Sequence, residues 1–148
     1  MLVEYNNDVF NAEIQGDKVN IWKYVPANGL EKTQTRRGIT YYERYVSKDE
    51  ISRPFSVSFF AEKDNRKYTI NSVIDGKMTI MCDDQEFATT MGFKEMERGV
   101  WVKSVDISSF ESFLMVKYVQ NSSDRIVQNL DSTEMITCWK KYVKDVSI

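Results

Sequence analysis

The residues of this sequence best suited to acid–base or metal chemistry are acidic residues that crowd between positions 83 and 97. This segment holds five acids and one base, Lys94, which gives a net charge of −4. Neighbouring carboxylates can transfer protons or coordinate Mg²⁺ when rigid elements bring them together. Three of the acids, however, fall at the start of a predicted helix, where the helix dipole alone favours negative charge. The five acids are Asp83, Asp84, Glu86, Glu95 and Glu97.

Other catalytic arrangements lack the residues they need. The chain has no histidine, so it has no Ser-His-Asp arrangement, no Cys-His arrangement and no metal held by histidine. Two lone cysteines, Cys82 and Cys138, do not make a zinc site by themselves. The six glycines form neither GxGxxG nor GxxxxGKS/T, the two phosphate-binding fingerprints. We therefore predict a non-enzymatic protein with no catalytic residue, no metal ligand and no cofactor.

The composition predicts one globular domain spanning residues 1–148. Hydrophobic residues make up 42 % and charged residues 28 % of the 148 positions, as in ordinary folded proteins. The net charge is −2 and no segment is strongly basic, so a phosphate-binding surface and a nucleic-acid partner are unfavourable interpretations. The composition leaves the oligomeric state open.

The sequence also predicts a cytoplasmic protein that does not enter a membrane. Residues 1–8 contain neither a basic region nor an apolar run, unlike a signal peptide. No stretch approaches the ~18 consecutive apolar residues of a membrane helix. Two cysteines are too few for the disulfide framework of a small secreted protein, so we expect both thiols to stay reduced.

Alternating apolar and polar residues predict β-strands along most of the chain. Residues 19–24, 55–59 and 77–81 alternate with the period of two that is typical of a strand with one covered face. Asp75-Gly76 separates two predicted strands. This dipeptide predicts a two-residue hairpin turn, in which both central residues have positive φ.

Internal similarity predicts that a β-unit is duplicated. Four short segments recur in the same order along the chain, which is the pattern expected of a repeat. We interpret residues 1–51 and 52–110 as two copies of one unit, followed by a strand and a helix over residues 111–148. A general likeness among β-meanders is the alternative explanation. The matched segments are 10–14 with 68–73, 18–21 with 77–80, 29–30 with 92–93, and 37–39 with 98–100.

Two helices complete the predicted fold. Asp83 can cap a short helix at about 84–91, and Gly92 can end it. Apolar residues three and four apart, with lysines near the end, predict a C-terminal helix at about 132–145. The predicted fold class is therefore α+β and mainly antiparallel β, built from a duplicated β-unit with these two helices.

Binding to a protein is the function that this sequence favours. An acidic surface suits a basic partner, because complementary charge speeds encounter and selects the partner. A solvated loop is the alternative interpretation of the acidic segment. The predicted partner-binding residues are the five acids Asp83, Asp84, Glu86, Glu95 and Glu97, with Tyr41 and Tyr42 as exposed aromatic contacts.

A small-ligand or nucleic-acid binding β-domain is the alternative function. Such a domain would use Trp22, Trp101 and the two Arg-Gly turns, because aromatic and arginine side chains together grip small ligands and single strands. A pocket lined by these residues would favour this alternative over a protein-binding surface.

Part of the first copy resembles a family of small bacterial proteins encoded beside polymorphic toxins. The resemblance covers roughly residues 18–51, and the second copy echoes it. Members of that family are immunity proteins, which bind a toxin and block it. The resemblance therefore implies a cytoplasmic inhibitor that acts by direct occlusion, and it transfers no specific binding residue. The acidic segment adds the expectation that the toxin domain is basic. The matching strings are Ile21-Trp22-Lys23-Tyr24, Gly29-Leu30-Glu31-Lys32, Arg36-Arg37-Gly38-Ile39 and Tyr41-Tyr42-Glu43.

Overall fold

The computed structural model describes all 148 residues and has the predicted α+β fold, with antiparallel strands as the main element. Contacts between Cα atoms divide the chain into two compact units. The predicted copies are contiguous in sequence, whereas each compact unit also includes later segments. Unit 1 comprises Met1–Val57, Lys117–Arg125 and Cys138–Ile148, and unit 2 comprises Ser58–Val116 and Ile126–Thr137.

The first five strands all belong to unit 1. They pair in the order β4-β5-β3-β2-β1, and β1 pairs in turn with the start of β6 through Leu2 and Phe55. Every pairing for which a register is defined is antiparallel. The strands are β1 (Leu2–Tyr5), β2 (Asp8–Gln15), β3 (Lys18–Lys23), β4 (Glu31–Gln34) and β5 (Thr40–Ser47).

The next five strands pair in the order β6-β7-β8-β10-β9. Strand β6 has residues in both units, and the other four lie in unit 2. Strand β11 pairs with β6 and β12. The strands are β6 (Phe55–Lys63), β7 (Arg66–Ile74), β8 (Lys77–Cys82), β9 (Lys94–Glu97), β10 (Val100–Asp106), β11 (Ser112–Val119) and β12 (Arg125–Leu130).

The stretch from β6 to β10 repeats the order of strands from β1 to β5, with a helix at Gln85–Thr90 added between β8 and β9. In each stretch a hairpin leads to a third strand, a short edge strand, a long returning strand and a 3₁₀ turn. The register also repeats, because Lys18 pairs with Ser47 and Lys77 pairs with Asp106 at the corresponding strand ends. The duplication itself stays a prediction, but the shared order assigns each paired residue a counterpart in the other stretch.

The predicted turn at Asp75-Gly76 is confirmed. Ile74 pairs with Lys77, and the two residues between them have φ values of 49° and 77°. Both Arg-Gly segments also form turns, in which Gly38 and Gly99 have φ of 81° and 82°. Glycine suits these positions because it lacks the Cβ atom that disfavours positive φ.

Buried and more exposed side chains alternate along the strands, so each strand has one covered face. In β3, Val19 and Ile21 are fully buried, whereas Asn20 and Trp22 are half-buried on the opposite face. Strand β8 repeats this pattern with Met78 and Ile80 buried. We call the face with the buried residues the core face and the opposite one the outer face.

Both predicted helices are confirmed. Helix α1 spans Gln85–Thr90, and helix α2 spans Ser132–Trp139 and continues as a π-helical turn over Lys140–Lys144. Helix α1 ends one residue earlier than predicted, before Met91, whose side chain is exposed. No helix of the chain is both long enough and apolar enough to cross a membrane.

The core of unit 1 contains one charged residue, Lys23, which is 5 % exposed. Its ammonium group forms an ion pair with Asp8 and lies 4.8 Å from the ring centroid of Phe10. Burial alone would raise the pKa of the Asp8 carboxyl. Hydrogen bonds from Lys23 and from the Val9 amide, with the charges of Lys23 and Lys141, hold this pKa below its usual value.

We expect Asp8→Asn to lower the free energy of unfolding at pH 7 by about 2 kcal/mol, because it leaves the buried ammonium group of Lys23 without its counter-charge. Urea denaturation measures this loss. The exposed Asp17→Asn is the matched control and should change stability by less than about 0.5 kcal/mol.

The same pair predicts a pH dependence. The folded-state pKa of Asp8 is lowered, so its ionised form adds stability above the ordinary Asp pKa, and this contribution is lost as the pH falls through the folded value. The difference in stability between the wild type and Asp8→Asn should therefore shrink in acid. A difference that stays constant down to the acid transition would contradict this role.

Candidate binding site

The five predicted acidic contact residues all lie in unit 2 and are all exposed. They sit on three different local structures. Asp83 and Asp84 precede helix α1, Glu86 is in its first turn, and the other two are on edge strand β9. Glu95 pairs with Trp101, and Glu97 pairs with Val100.

Asp84, and not Asp83, caps helix α1. The Asp84 carboxylate accepts a hydrogen bond of 3.1 Å from the backbone N–H of Phe87. This bond satisfies one of the N–H groups that a helix start leaves without an intrahelical partner. Asp84 therefore has a structural role, which makes it a poor probe of partner binding.

Asp83 and Glu97 line one cavity of about 420 Å³ in unit 2. Two basic residues, Arg66 and Lys67, line the same cavity, so the charges of its walls balance. The guanidinium of Arg66 stacks on the ring of Phe87 at 3.5 Å from its centroid. The acidic segment is therefore next to basic side chains at this point and does not form an uninterrupted negative surface.

No group of three acidic or cysteine side chains comes together in a metal-binding arrangement anywhere in the chain. Asp83 and Glu97 line a common cavity, but no three of the five acids come together, so crowding along the sequence does not bring the whole set together in space.

Tyr41 and Tyr42, predicted as a pair of exposed contacts, are separated by the sheet. They are neighbours on β5, and successive side chains of a strand point to opposite faces. Tyr42 pairs with Lys23 on the core face, whereas Tyr41 lies on the outer face with Glu43. Both tyrosines are half-buried, so the expectation that both are exposed is wrong.

Tyr41 lines a cavity of about 230 Å³ on the outer face of unit 1, which we call the β3–β5 site. Alternate residues of β3 form its floor, and β2 and β5 supply one carboxylate each. Its walls combine three aromatic side chains with two acids, an amide and a threonine. These residues are Glu13, Asn20, Trp22, Tyr24, Thr35, Tyr41 and Glu43.

Hydrogen bonds hold the Glu43 carboxylate in place. Its Oε2 atom accepts a bond of 3.2 Å from Asn20 Nδ2, and its Oε1 atom accepts one of 3.5 Å from Thr33 Oγ1. The bond from Nδ2 also fixes the direction of the Asn20 amide. Asn20 Oδ1 is then buried without a hydrogen-bond partner, and it is the only such side-chain atom in the protein. An acceptor in this state is costly unless a donor reaches it.

The β3–β5 site lacks a counter-charge. The two ion pairs of the structure join Lys23 to Asp8 and Lys117 to Glu4, so neither Glu13 nor Glu43 has a cationic partner. Glu31 lies directly across β4 and β5 from Glu43 and adds a third negative charge to the same face.

The surroundings of Tyr41 change the pKa of its phenol. Desolvation raises the pKa of Tyr41, and the Glu43 carboxylate and the phenols of Tyr45 and Tyr24 shift it in the same direction. The raised pKa therefore extends to more alkaline pH the range in which the phenol keeps its proton and can donate a hydrogen bond.

The counterpart positions in unit 2 carry different chemistry. Trp22 pairs with Glu43 across β3 and β5, and the corresponding pair across β8 and β10 is Met81 with Val102. Thr79 takes the place of Asn20. The positions that hold Asn20, Trp22 and Glu43 in one stretch thus hold the uncharged, non-aromatic Thr79, Met81 and Val102 in the other.

Sequence reasoning proposed Tyr41 and, for the alternative function, Trp22, but it missed the other members of the β3–β5 site. The available signal was the alternation of Asn20, Trp22 and Tyr24 on one side of β3. Glu13 and Glu43 could be added only from the registers of β2 and β5 with that strand.

Comparison with known proteins identifies the family. The sequence profile described as Uncharacterised conserved protein UCP033725 matches residues 3–122, so the chain belongs to this family. No curated protein sequence and no solved structure shows a significant match to the chain.

We expect Asp84→Ala to lower the free energy of unfolding by about 1 kcal/mol, because it removes the cap of α1. Thermal or urea denaturation measures this loss. Asp83→Ala, one residue away, is the control and should change stability by less than about 0.5 kcal/mol. Equal losses in the two variants would contradict the assignment of the cap to Asp84.

Proposed function

We propose that this chain is a non-enzymatic binding module that recognises a basic protein partner. The observation that carries the proposal is the β3–β5 site, where Glu13 and Glu43 lack cationic partners beside Trp22 and Tyr41. Aromatic side chains at the centre of an interface supply much of its binding energy, and unpaired carboxylates select a partner of positive charge.

An immunity protein is the specific form of binding module that we propose. Its support is the resemblance of residues 18–51 to immunity proteins encoded beside bacterial toxins. The β3–β5 site draws most of its residues from this segment, and Trp22, Tyr24, Tyr41 and Glu43 fall within its matching strings. In this form the protein acts in the cytoplasm and occludes a basic toxin domain by direct contact.

The acidic segment of residues 83–97 has a secondary place in this proposal. Its exposed acids can steer a basic partner by charge, and such exposed charges affect the association rate more than the affinity. Asp83 and Glu97 also share their cavity with Arg66 and Lys67, which reduces their attraction for a cation.

A small-ligand binding domain is the second candidate function. The observation that favours it is the size of the β3–β5 site, since a cavity of about 230 Å³ holds a small molecule or one side chain. Trp101 does not support this alternative, because it lies in unit 2 and does not line the cavity that contains Trp22. Carboxylates in the cavity also repel the phosphates of a nucleic acid.

Affinity capture from the native organism tests the proposal. We expect the tagged wild type to retain one basic protein at low salt and release it at high salt. Glu13→Gln/Glu43→Gln should reduce its retention at least about tenfold, because it removes the charges that face the partner. Asp83→Asn/Glu86→Gln, which also removes two charges but keeps the Asp84 cap, should reduce retention less.

Circular dichroism serves as the control for folding in both variants. Equal retention by the wild type and the Glu13→Gln/Glu43→Gln variant would contradict the assignment of the site. Recovery of no basic protein by the wild type would contradict the proposed function itself.

A further inference from the structure

The β3–β5 site contains groups that together define the chemistry of one ligand. Trp22, Tyr24 and Tyr41 offer aromatic faces, and the carboxylates of Glu13 and Glu43 lie beside them. Aromatic faces attract organic cations through the ring quadrupole, whereas hard metal cations prefer a shell of oxygen atoms. The combination therefore favours an organic cation over Mg²⁺ or Ca²⁺.

The pairing of β4 with β5 places two negative charges next to each other and lowers the stability of the sheet. Glu31 and Glu43 face each other across β4 and β5, and like charges directly opposite in a pair of strands destabilise it. Arg44 lines a neighbouring cavity with both carboxylates but forms an ion pair with neither, so a bound cation would relieve the repulsion further.

The unpaired oxygen of Asn20 distinguishes between classes of organic cation. Asn20 Oδ1 is buried and needs a donor, and a quaternary ammonium group has none. A guanidinium has five N–H donors in one plane, stacks on aromatic rings and binds carboxylates with two parallel hydrogen bonds. Asn20 and Glu43 line the same cavity as Trp22 and Tyr41, so a guanidinium that enters it lies beside both acceptor residues and an aromatic ring.

We infer that the β3–β5 site binds the guanidinium group of an arginine side chain presented by a protein. The volume of about 230 Å³ is smaller than the cavities that hold drug-sized ligands, and it suits one side chain that enters from a partner. A side chain without its own carboxylate also avoids repulsion from Glu13 and Glu43. Binding of a guanidinium at this site does not depend on the proposed function. Only the assignment of the arginine to a protein partner rests on that function.

Titration of the full chain with small probes tests the inference without the partner. The probe is N-acetyl-L-arginine N-methylamide, followed by two-dimensional ¹H–¹⁵N NMR at the Trp22 indole N–H, which Trp22→Phe assigns. We expect a Kd of roughly millimolar order, because a single side chain has few atoms to contribute. The indole signals of Trp101 and Trp139 should shift less.

Matched variants locate the binding. Glu43→Gln, which keeps the shape of the side chain, should weaken the arginine probe about tenfold. Asn20→Leu should also weaken it, because it removes both the unpaired acceptor and the amide N–H that holds Glu43. Glu111→Gln, an exposed acid in unit 2, is the control and should bind the probe as the wild type does. The ¹H–¹⁵N spectra report whether each variant remains folded.

Two further probes decide the class and the source of the ligand. Choline binding as tightly as the arginine probe would overturn the choice of guanidinium, because choline has no N–H donor. Free L-arginine binding more tightly than the capped probe would overturn a protein source in favour of a free metabolite.

Binding of the arginine probe and capture of a protein partner are separate outcomes. No shift at the Trp22 indole with the arginine probe at tens of millimolar overturns the inference, even if affinity capture recovers a basic partner. Binding of the probe without any captured protein partner supports the site and overturns the protein-binding function.

Discussion

The register of β3 between its two neighbours is the constraint on which the rest of unit 1 depends. Antiparallel pairing with β2 and β5 turns Val19, Ile21 and Lys23 towards the core and Asn20 and Trp22 towards the outer face. A slip by one residue would exchange the two sets and bury polar groups in the core. The same hydrogen-bond pattern therefore creates both the core and the candidate site, and a change that weakens one is expected to disturb the other.

The ion pair between Lys23 and Asp8 makes this register more specific. Lys23 ends β3 with its ammonium group on the core face, where only Asp8 at the start of β2 neutralises it. A shifted register would separate the two charges and leave one of them buried and unpaired, which costs several kcal/mol by the order of magnitude found for such groups. The pair thus disfavours the alternative pairings of β2 and β3 more than it adds to the stability of the correct one.

Two stretches of this chain use the same frame differently. Both bury alternate apolar residues on the core face, but Trp22 and Glu43 are matched by Met81 and Val102 on the outer face of the other stretch. The core is constrained by packing in both, whereas the outer face is free to vary with what it contacts. The difference between the faces is therefore more informative about function than the likeness of the cores.

The fold could be predicted because its strands, its hairpin turn and its helices each leave a local signal in the sequence. Alternation indicated the strands, Asp75-Gly76 indicated its hairpin, and caps with apolar spacing indicated both helices. The site could not be predicted in the same way. Closeness in sequence suggested that the acids of residues 83–97 act together, yet they lie on separate local structures.

The two tyrosines also show that closeness in sequence does not predict a shared site. Tyr41 and Tyr42 are adjacent in sequence, and adjacency on a strand places them on opposite faces. Glu43 comes beside Trp22 only through the pairing of β5 with β3, which joins residues far apart in the chain. A single sequence carries no direct signal of that register.

Carboxyl footprinting by mass spectrometry, with and without the protein partner recovered by affinity capture, measures whether the partner covers the β3–β5 site. We predict that Glu13 and Glu43 react in the free protein and become protected in the complex. Glu111 and Asp75 should react equally in both states. Protection confined to the acids of residues 83–97, with Glu13 and Glu43 still reactive in the complex, would contradict the claim that the partner binds at the outer face of β3 and β5.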